Sequence, residues 1–314
     1  MKTTTLGSSD IVVSRMSYGC MRIAGAWNPK DVTPAHIEAG ERALAAAYDA
    51  GYTLFDHADI YAQGVCEKIH GDFMRKSPSL RRETVIATKC GIRFPGDPNP
   101  DSPHRYDFSA KHILRSCDLS LQRLGIEQID LYQLHRPDYL MNPSEVAEAF
   151  NTLYEQGKVR SFGVSNFLPS QVDALASACP FPILVNQVEI HLARLDCFED
   201  GTLDQCLARQ ITPLAWSPLA GGLLGDGREP PADHPKAEAM RNTLALLDGL
   251  AKGFGATRSA VALAWLMKHP SGIIPIVGST KPESIRAAAE ADNLDLDREN
   301  WYRILVAARG ERLP

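Results

Sequence analysis

This chain of 314 residues has no C-x-x-C pair, no apolar run of membrane length, no basic excess and no glycine-rich dinucleotide fingerprint after any of its apolar runs. Each absence excludes something. The 7 cysteines (Cys20, Cys66, Cys90, Cys117, Cys179, Cys197, Cys206) are odd in number and scattered, which argues against a disulfide framework or a zinc site and fits reduced thiols in a cytoplasm. The start, Met1-Lys2-Thr3-Thr4-Thr5-Leu6-Gly7, lacks the apolar core of a secretion signal. No apolar stretch approaches the roughly 20 residues a spanning helix needs. A net charge of −5 offers no counter-ions to a nucleic acid or an anionic membrane, so the expected partner is a small molecule. Without G-x-G-x-x-G after a strand, a dinucleotide site of Rossmann type is not expected.

What is present is an alternation. At 44% hydrophobic and 23% charged the composition is that of a globular protein with a large core, and the length suits two domains or one α/β barrel. Residues 3–6 and 11–14 flank Gly7-Ser8-Ser9-Asp10 and read as a hairpin. Eight short apolar runs follow, ending at residues 19, 56, 91, 135, 166, 189, 217 and 278, with helical patterns between them. Thr33-Pro34 and Asn142-Pro143-Ser144-Glu145 are helix starts, the second with a capping-box pattern. Residues 93–108 and 220–235 are long loops rich in Pro and Gly, of the kind that carry function. A last helical pattern, residues 298–308, lies outside the alternation. Eight strand–helix units predict a closed (β/α)8 barrel with an N-terminal hairpin and an extra C-terminal helix, one domain over residues 1–314.

On such a barrel, chemistry sits at the carboxyl ends of the strands. Those ends supply Gly19, Asp56, Lys89, His135, Ser165, Asn166, Gln187, Trp216, Ser217, Gly278 and Ser279. Tyr61 follows Asp56 by five residues, far enough for the chain to turn back. A free phenol is a poor acid at neutral pH, with a pKa about 10. A lysine beside it favours the phenolate, and a carboxylate keeps that lysine charged and in place. Asp56, Tyr61, Lys89 and His135 thus form a set able to protonate a carbonyl oxygen, His135 polarising the carbonyl or passing a proton through Tyr61. Each alone reads better as an ion pair, a solvated loop residue or a packed core residue; four together at matching strand ends do not.

The motifs Asp56-His57-Ala58-Asp59-Ile60-Tyr61, Thr88-Lys89-Cys90, Leu134-His135-Arg136-Pro137, Gly163-Val164-Ser165-Asn166-Phe167, Asn186-Gln187, Trp216-Ser217-Pro218-Leu219 and Pro275-Ile276-Val277-Gly278-Ser279 resemble those of the aldo-keto reductase family, in its bacterial-type oxidoreductase branch, nearly end to end. The resemblance implies NAD(P)H-dependent reduction of aldehydes and ketones. It makes Tyr61 the general acid, tuned by Lys89 and Asp56, with His135 orienting the carbonyl. It implies that Ser165, Asn166 and Gln187 hold the nicotinamide carboxamide and that Trp216 stacks on the ring. Ser217, Leu219, Gly221 and Leu223 would line the pyrophosphate, with residues 220–235 folding over it. Gly278, Ser279, Thr280, Lys281 and Arg286 would meet the adenosine phosphate end, and Gly19, Met21 and Arg22 would lie under the ribose and nicotinamide.

Four positions depart from the family's habit: His57 for Thr, Arg136 for Trp, Trp216 for Tyr or Phe, and Ser284 for an arginine, with Arg286 two residues on. Lys281, Arg286 and Ser279 favour NADPH, with NADH possible. Met21, Trp27, His57, Ile92, Arg93 and Arg136 are pocket positions, and a chain that stops soon after its last helix predicts an open, permissive pocket. Two other readings compete. Lys89 could be a Schiff-base nucleophile of a lyase, which needs a depressed pKa that Asp56 opposes. The chain could also be a regulatory subunit that binds cofactor without turnover.

Overall fold

The polar strand ends converge because eight parallel strands close into a barrel in chain order: Ser17–Gly19, Leu54–Asp56, Val85–Cys90, Leu131–Leu134, Phe162–Ser165, Ile183–Glu189, Thr212–Trp216 and Ile274–Val277. They are called here the first to the eighth strand. The structure is a computed structural model and describes residues 1–231 and 236–313. Residues 232–235, the end of the second long loop, and Pro314 lie outside the described residues. Closure runs from the eighth strand to the first, with Ile276 opposite Ser17 and Val277 opposite Tyr18. The strands are apolar because helices cover them outside and side chains fill them inside: all of Val85–Cys90 is buried.

The strands end where the sequence reading puts them at residues 19, 56 and 189 and one residue earlier at the other five, because pairing stops where a strand leaves its neighbour. The hairpin forms as Thr3–Thr5 with Val12–Ser14, Thr3 opposite Ser14. Its Leu6, Ile11 and Val13 pack on Leu54, Leu131, Leu184 and Leu214 and cover the apolar end of the barrel, opposite the polar strand ends. The extra C-terminal helix is Arg298–Arg309. Trp301 on it stacks on Trp265 at 5.0 Å, and each indole N–H donates to the other's backbone oxygen at 3.0 Å.

Two local expectations change. Asn142 caps Pro143–Glu155 by accepting from Ser144, and Glu145 does not complete a capping box: its carboxylate takes the backbone N–H of Ala110 at 2.8 Å, joining two helix starts. The first long loop is not structureless either. Ile92–Arg93 pairs with Arg105–Tyr106 as an antiparallel ribbon. At its base Gly91 has φ +108°, and a Cβ there would meet the ring of Phe108 at 2.2 Å, so only glycine fits.

Candidate active site

Lys89 stands at the inner end of the third strand, fully buried. Its ammonium donates to Asp56 Oδ2 at 2.7 Å, to the His57 carbonyl at 2.7 Å and to Tyr61 Oη at 3.1 Å. All three of its protons are therefore engaged. Asp56 ends the second strand, and its Oδ1 accepts from Gln187 Nε2 at 2.8 Å across the barrel. Tyr61 returns to Lys89 after residues 57–60 and opens a turn whose next two residues, Ala62 and Gln63, take left-handed φ values. His135 closes the group, its ring edge-on to Tyr61 with centroids 6.0 Å apart. Asp56, Tyr61, Lys89 and His135 are thus one buried, contiguous cluster.

Burial opposes the Lys89 charge, but Asp56 and Tyr61 outweigh it and hold the lysine above its ordinary value. Burial pushes Tyr61 up, Lys89 pulls it down and Asp56 pushes it up again; the net direction is up. The lowering expected from Lys89 is thus present but overridden, because a phenolate beside Asp56 in a dry site is costly. Burial, then Lys89 and Arg136, push His135 well below its usual range, so its imidazole is neutral. Its Nδ1 is buried without a partner.

Behind this cluster lies a second chain of polar groups. His57 Nε2 meets His70 Nδ1 at 2.8 Å, and His70 Nε2 meets Tyr48 Oη at 2.8 Å. Burial and then Arg81 push His70 down to about 3. His57 is lowered by burial, His70 and Lys89. The chain fixes the His57 backbone on which Lys89 leans.

Of the groups expected at the carboxamide, Asn166 donates both amide protons within the protein, to the His135 carbonyl at 3.2 Å and Ser165 Oγ at 2.8 Å. Its Oδ1 accepts from Trp216 Nε1 at 2.9 Å. Ser165 Oγ donates to the Gln187 carbonyl at 2.8 Å. These hydroxyl and carbonyl oxygens keep lone pairs, so they suit a ligand N–H better than a ligand carbonyl. The guanidinium of Arg136 lies 5.3 Å from the Trp216 ring centroid.

The other expected residues lie where the strands place them, not in the cluster. Ser217, Gly221 and Leu223 line a cavity of about 1090 Å³ together with Glu189, His191 and Arg194. Leu219 packs into the core beside it. Gly278, Lys281 and Arg286 are exposed around the start of the helix Pro282–Ala289; Ser279 and Thr280, half-buried, lie between Gly278 and Lys281. The Ser279 hydroxyl accepts from the Lys281 backbone N–H at 3.2 Å, and its carbonyl accepts from Tyr18 at 3.0 Å. Gly19 ends the first strand; Met21 and Arg22, both exposed, form the turn after it. The acceptor oxygens of Ser165 and Asn166 suit the N–H of a planar, amide-bearing ring beside Trp216, and the backbone turns at Ser217, Ala220 and Gly221, all at positive φ, beside the cavity.

Two participants were not singled out from sequence. Gln133 accepts from Gln187 at 3.4 Å. Its signal was legible: it is a polar residue two before His135, on the same strand face. His70 had no such signal, because it meets His57 only through packing of the helix Val65–Lys76.

The sequence profile of the Aldo/keto reductase family matches residues 15–307. A 6-dehydroglucose reductase of Novosphingobium aromaticivorans is 41% identical over 315 residues, covering 98% of this chain and 96% of that protein. A 6-dehydroglucose reductase of Agrobacterium fabrum is 36% identical over 307 residues, covering 98% of each. The solved structure of the glycerol dehydrogenase AKR11B4 from Gluconobacter oxydans superposes with a TM-score of 0.85 at 26% identity, covering 99% of this chain and 97% of that one.

Proposed function

This chain belongs to the aldo/keto reductase family, and we propose that it reduces an aldehyde or ketone to the alcohol, using NADPH in preference to NADH, with Tyr61 as the acid. The family makes it an oxidoreductase of carbonyl reduction that uses a nicotinamide cofactor. The observation that carries the residue-level reading is the Lys89 ammonium held between Asp56 and Tyr61 in a buried site.

Bound nicotinamide supplies the hydride that the carbonyl carbon receives. The Tyr61 hydroxyl gives its proton to the carbonyl oxygen. The phenolate left behind sits 3.1 Å from a fixed positive charge, which Asp56 keeps in place. Neutral His135 donates its ring N–H to the same oxygen and adds no competing charge. Ser165, Asn166 and Gln187 would hold the carboxamide of a bound nicotinamide, and Trp216, tied by its indole N–H to Asn166, would pack against its ring. Ser217, Leu219, Gly221 and Leu223 serve the pyrophosphate. Gly278, Ser279, Thr280, Lys281 and Arg286 serve the adenosine phosphates, and Gly19, Met21 and Arg22 the ribose. Two relatives named 6-dehydroglucose reductase bring hydroxylated aldehydes into the proposed substrate range.

The lyase reading loses ground on the same geometry. A Schiff-base lysine must offer a lone pair, and Lys89 has its pKa raised and every proton engaged.

Titration with NADPH and then NADH, followed by tryptophan fluorescence, tests the cofactor site: tighter quenching by NADPH is expected. Tyr61→Phe should still bind NADPH but lose about 10²–10⁴-fold in turnover. Absence of binding, or wild-type turnover by Tyr61→Phe, would overturn the reading.

A further inference from the structure

Arg136 follows His135 directly, and its charge lies close enough to act on the imidazole that faces Tyr61. It is half-buried. Its guanidinium rests on Trp216, whose indole N–H is tied to Asn166, which in turn holds the His135 carbonyl. The position of the charge is therefore fixed relative to the acid cluster.

The Arg136 guanidinium has no counter-ion among the described residues, unlike two arginines on other loops after the strands. Arg93 and Arg194, on loops that follow the third and sixth strands, each bind two carboxylates. Arg136 pairs with no carboxylate among the described residues; its contact is the indole face. The acid nearest in sequence, Asp138, is engaged elsewhere, accepting the backbone N–H of Phe108 and of Leu140, each at 2.9 Å. Glu189, opposite Trp216 in the sheet, is held by His191 and Arg194. A half-buried guanidinium without an anion is costly to keep, and its fork of donors matches a carboxylate or phosphate in a bidentate way.

We propose that Arg136 is a specificity residue that recognises an anionic group on the substrate, so that the preferred substrates are small aldehydes or ketones bearing a carboxylate or phosphate a few bonds from the carbonyl. This rests on the carbonyl-reductase reading. The anion meets the guanidinium while the carbonyl oxygen meets Tyr61 and His135, and no bond to the anion forms or breaks in the reaction.

The test compares succinic semialdehyde with butanal, equal in chain length and different in charge. The wild-type enzyme should favour the anion by about tenfold in kcat/KM, the gain lying in KM and shrinking as salt is added. In Arg136→Leu the ratio of the two should fall by about tenfold, and Arg136→Lys, which keeps the charge without the fork, should fall between. A ratio at or below one in the wild type, or the same ratio in Arg136→Leu, would overturn the proposal. Calorimetric titration with butanoate and butyramide reads recognition without turnover. If neither aldehyde is reduced, the reductase reading fails, and the anion site is judged on this arm alone. Butanoate binding to the wild type and lost in Arg136→Leu supports it; equal binding to both, or no preference over butyramide, sinks it.

Discussion

The ends of the second, third and fourth strands are built on different terms from those of the seventh, eighth and first. On the first side the functional groups are buried and bonded to one another: Asp56, Lys89 and Tyr61 form one network, which Gln187 of the sixth strand joins from across the barrel. On the second side Met21, Arg22, Gly278, Lys281 and Arg286 are exposed, and the backbone itself turns through positive φ at Ser217 and Ala220. Under the proposed function, the difference matches two tasks. Charge that moves during a reaction needs dipoles already in place, since their reorganisation would add to the barrier. A phosphate-bearing ligand brings its own charge, and side chains that gather around it on arrival suffice.

The sharpest way to break that contrast is Lys89→Met. It leaves the Asp56 carboxylate buried beside an apolar chain, which should cost about 3–5 kcal/mol of stability, and turnover should fall with it. Thermal unfolding alongside single-turnover rates checks both; an unchanged Tm would mean that the network is looser than its geometry. A smaller effect sharpens the comparison through pH. His70 has a pKa pushed down to about 3 in the folded protein, against about 6.5 when unfolded. The unfolded chain therefore takes up a proton that the folded one refuses. The stability this group contributes is complete above pH ~6.5 and is lost as pH falls from there toward 3. Melting curves across that window should slope downward with acid, and His70→Asn should flatten the slope. The smallest effect belongs to the open side. Arg286→Ala should leave the fold intact and lower the NADPH-over-NADH preference by about tenfold, read as a ratio of kcat/KM values.

The fold was legible in the sequence because a barrel of parallel strands writes itself as apolar runs ending in polar residues, and the eighth run at Ile274–Val277 is as plain as the third. The chemical cluster was legible for the same reason: Asp56, Lys89 and His135 each sit where an apolar run stops. What escaped depends on contacts that local pattern does not encode. The ribbon inside residues 93–108 is two pairs long, too short for an alternation to register. Glu145 carries a capping-box spacing, yet tertiary packing offered its carboxylate the orphan N–H of another helix. The sign of the Tyr61 shift followed from burial, which a sequence does not state residue by residue.

The ribbon has a consequence for anyone who would re-engineer the protein. None of the hydrogen bonds that hold Lys89, Asp56 and Tyr61 together comes from residues 93–108. The segment is held by its own ion pairs, Arg93 with Asp97 and Asp107, is clamped at its root where Gly91 accepts the Asp107 N–H under the ring of Phe108, and is tied at its end to Asp138 by the Phe108 N–H. It behaves as a cassette with defined seams. Exchanged between Gly91 and Phe108, with both joints kept, it lets the mouth of the barrel be rewritten while the Lys89 cluster beneath keeps its setting.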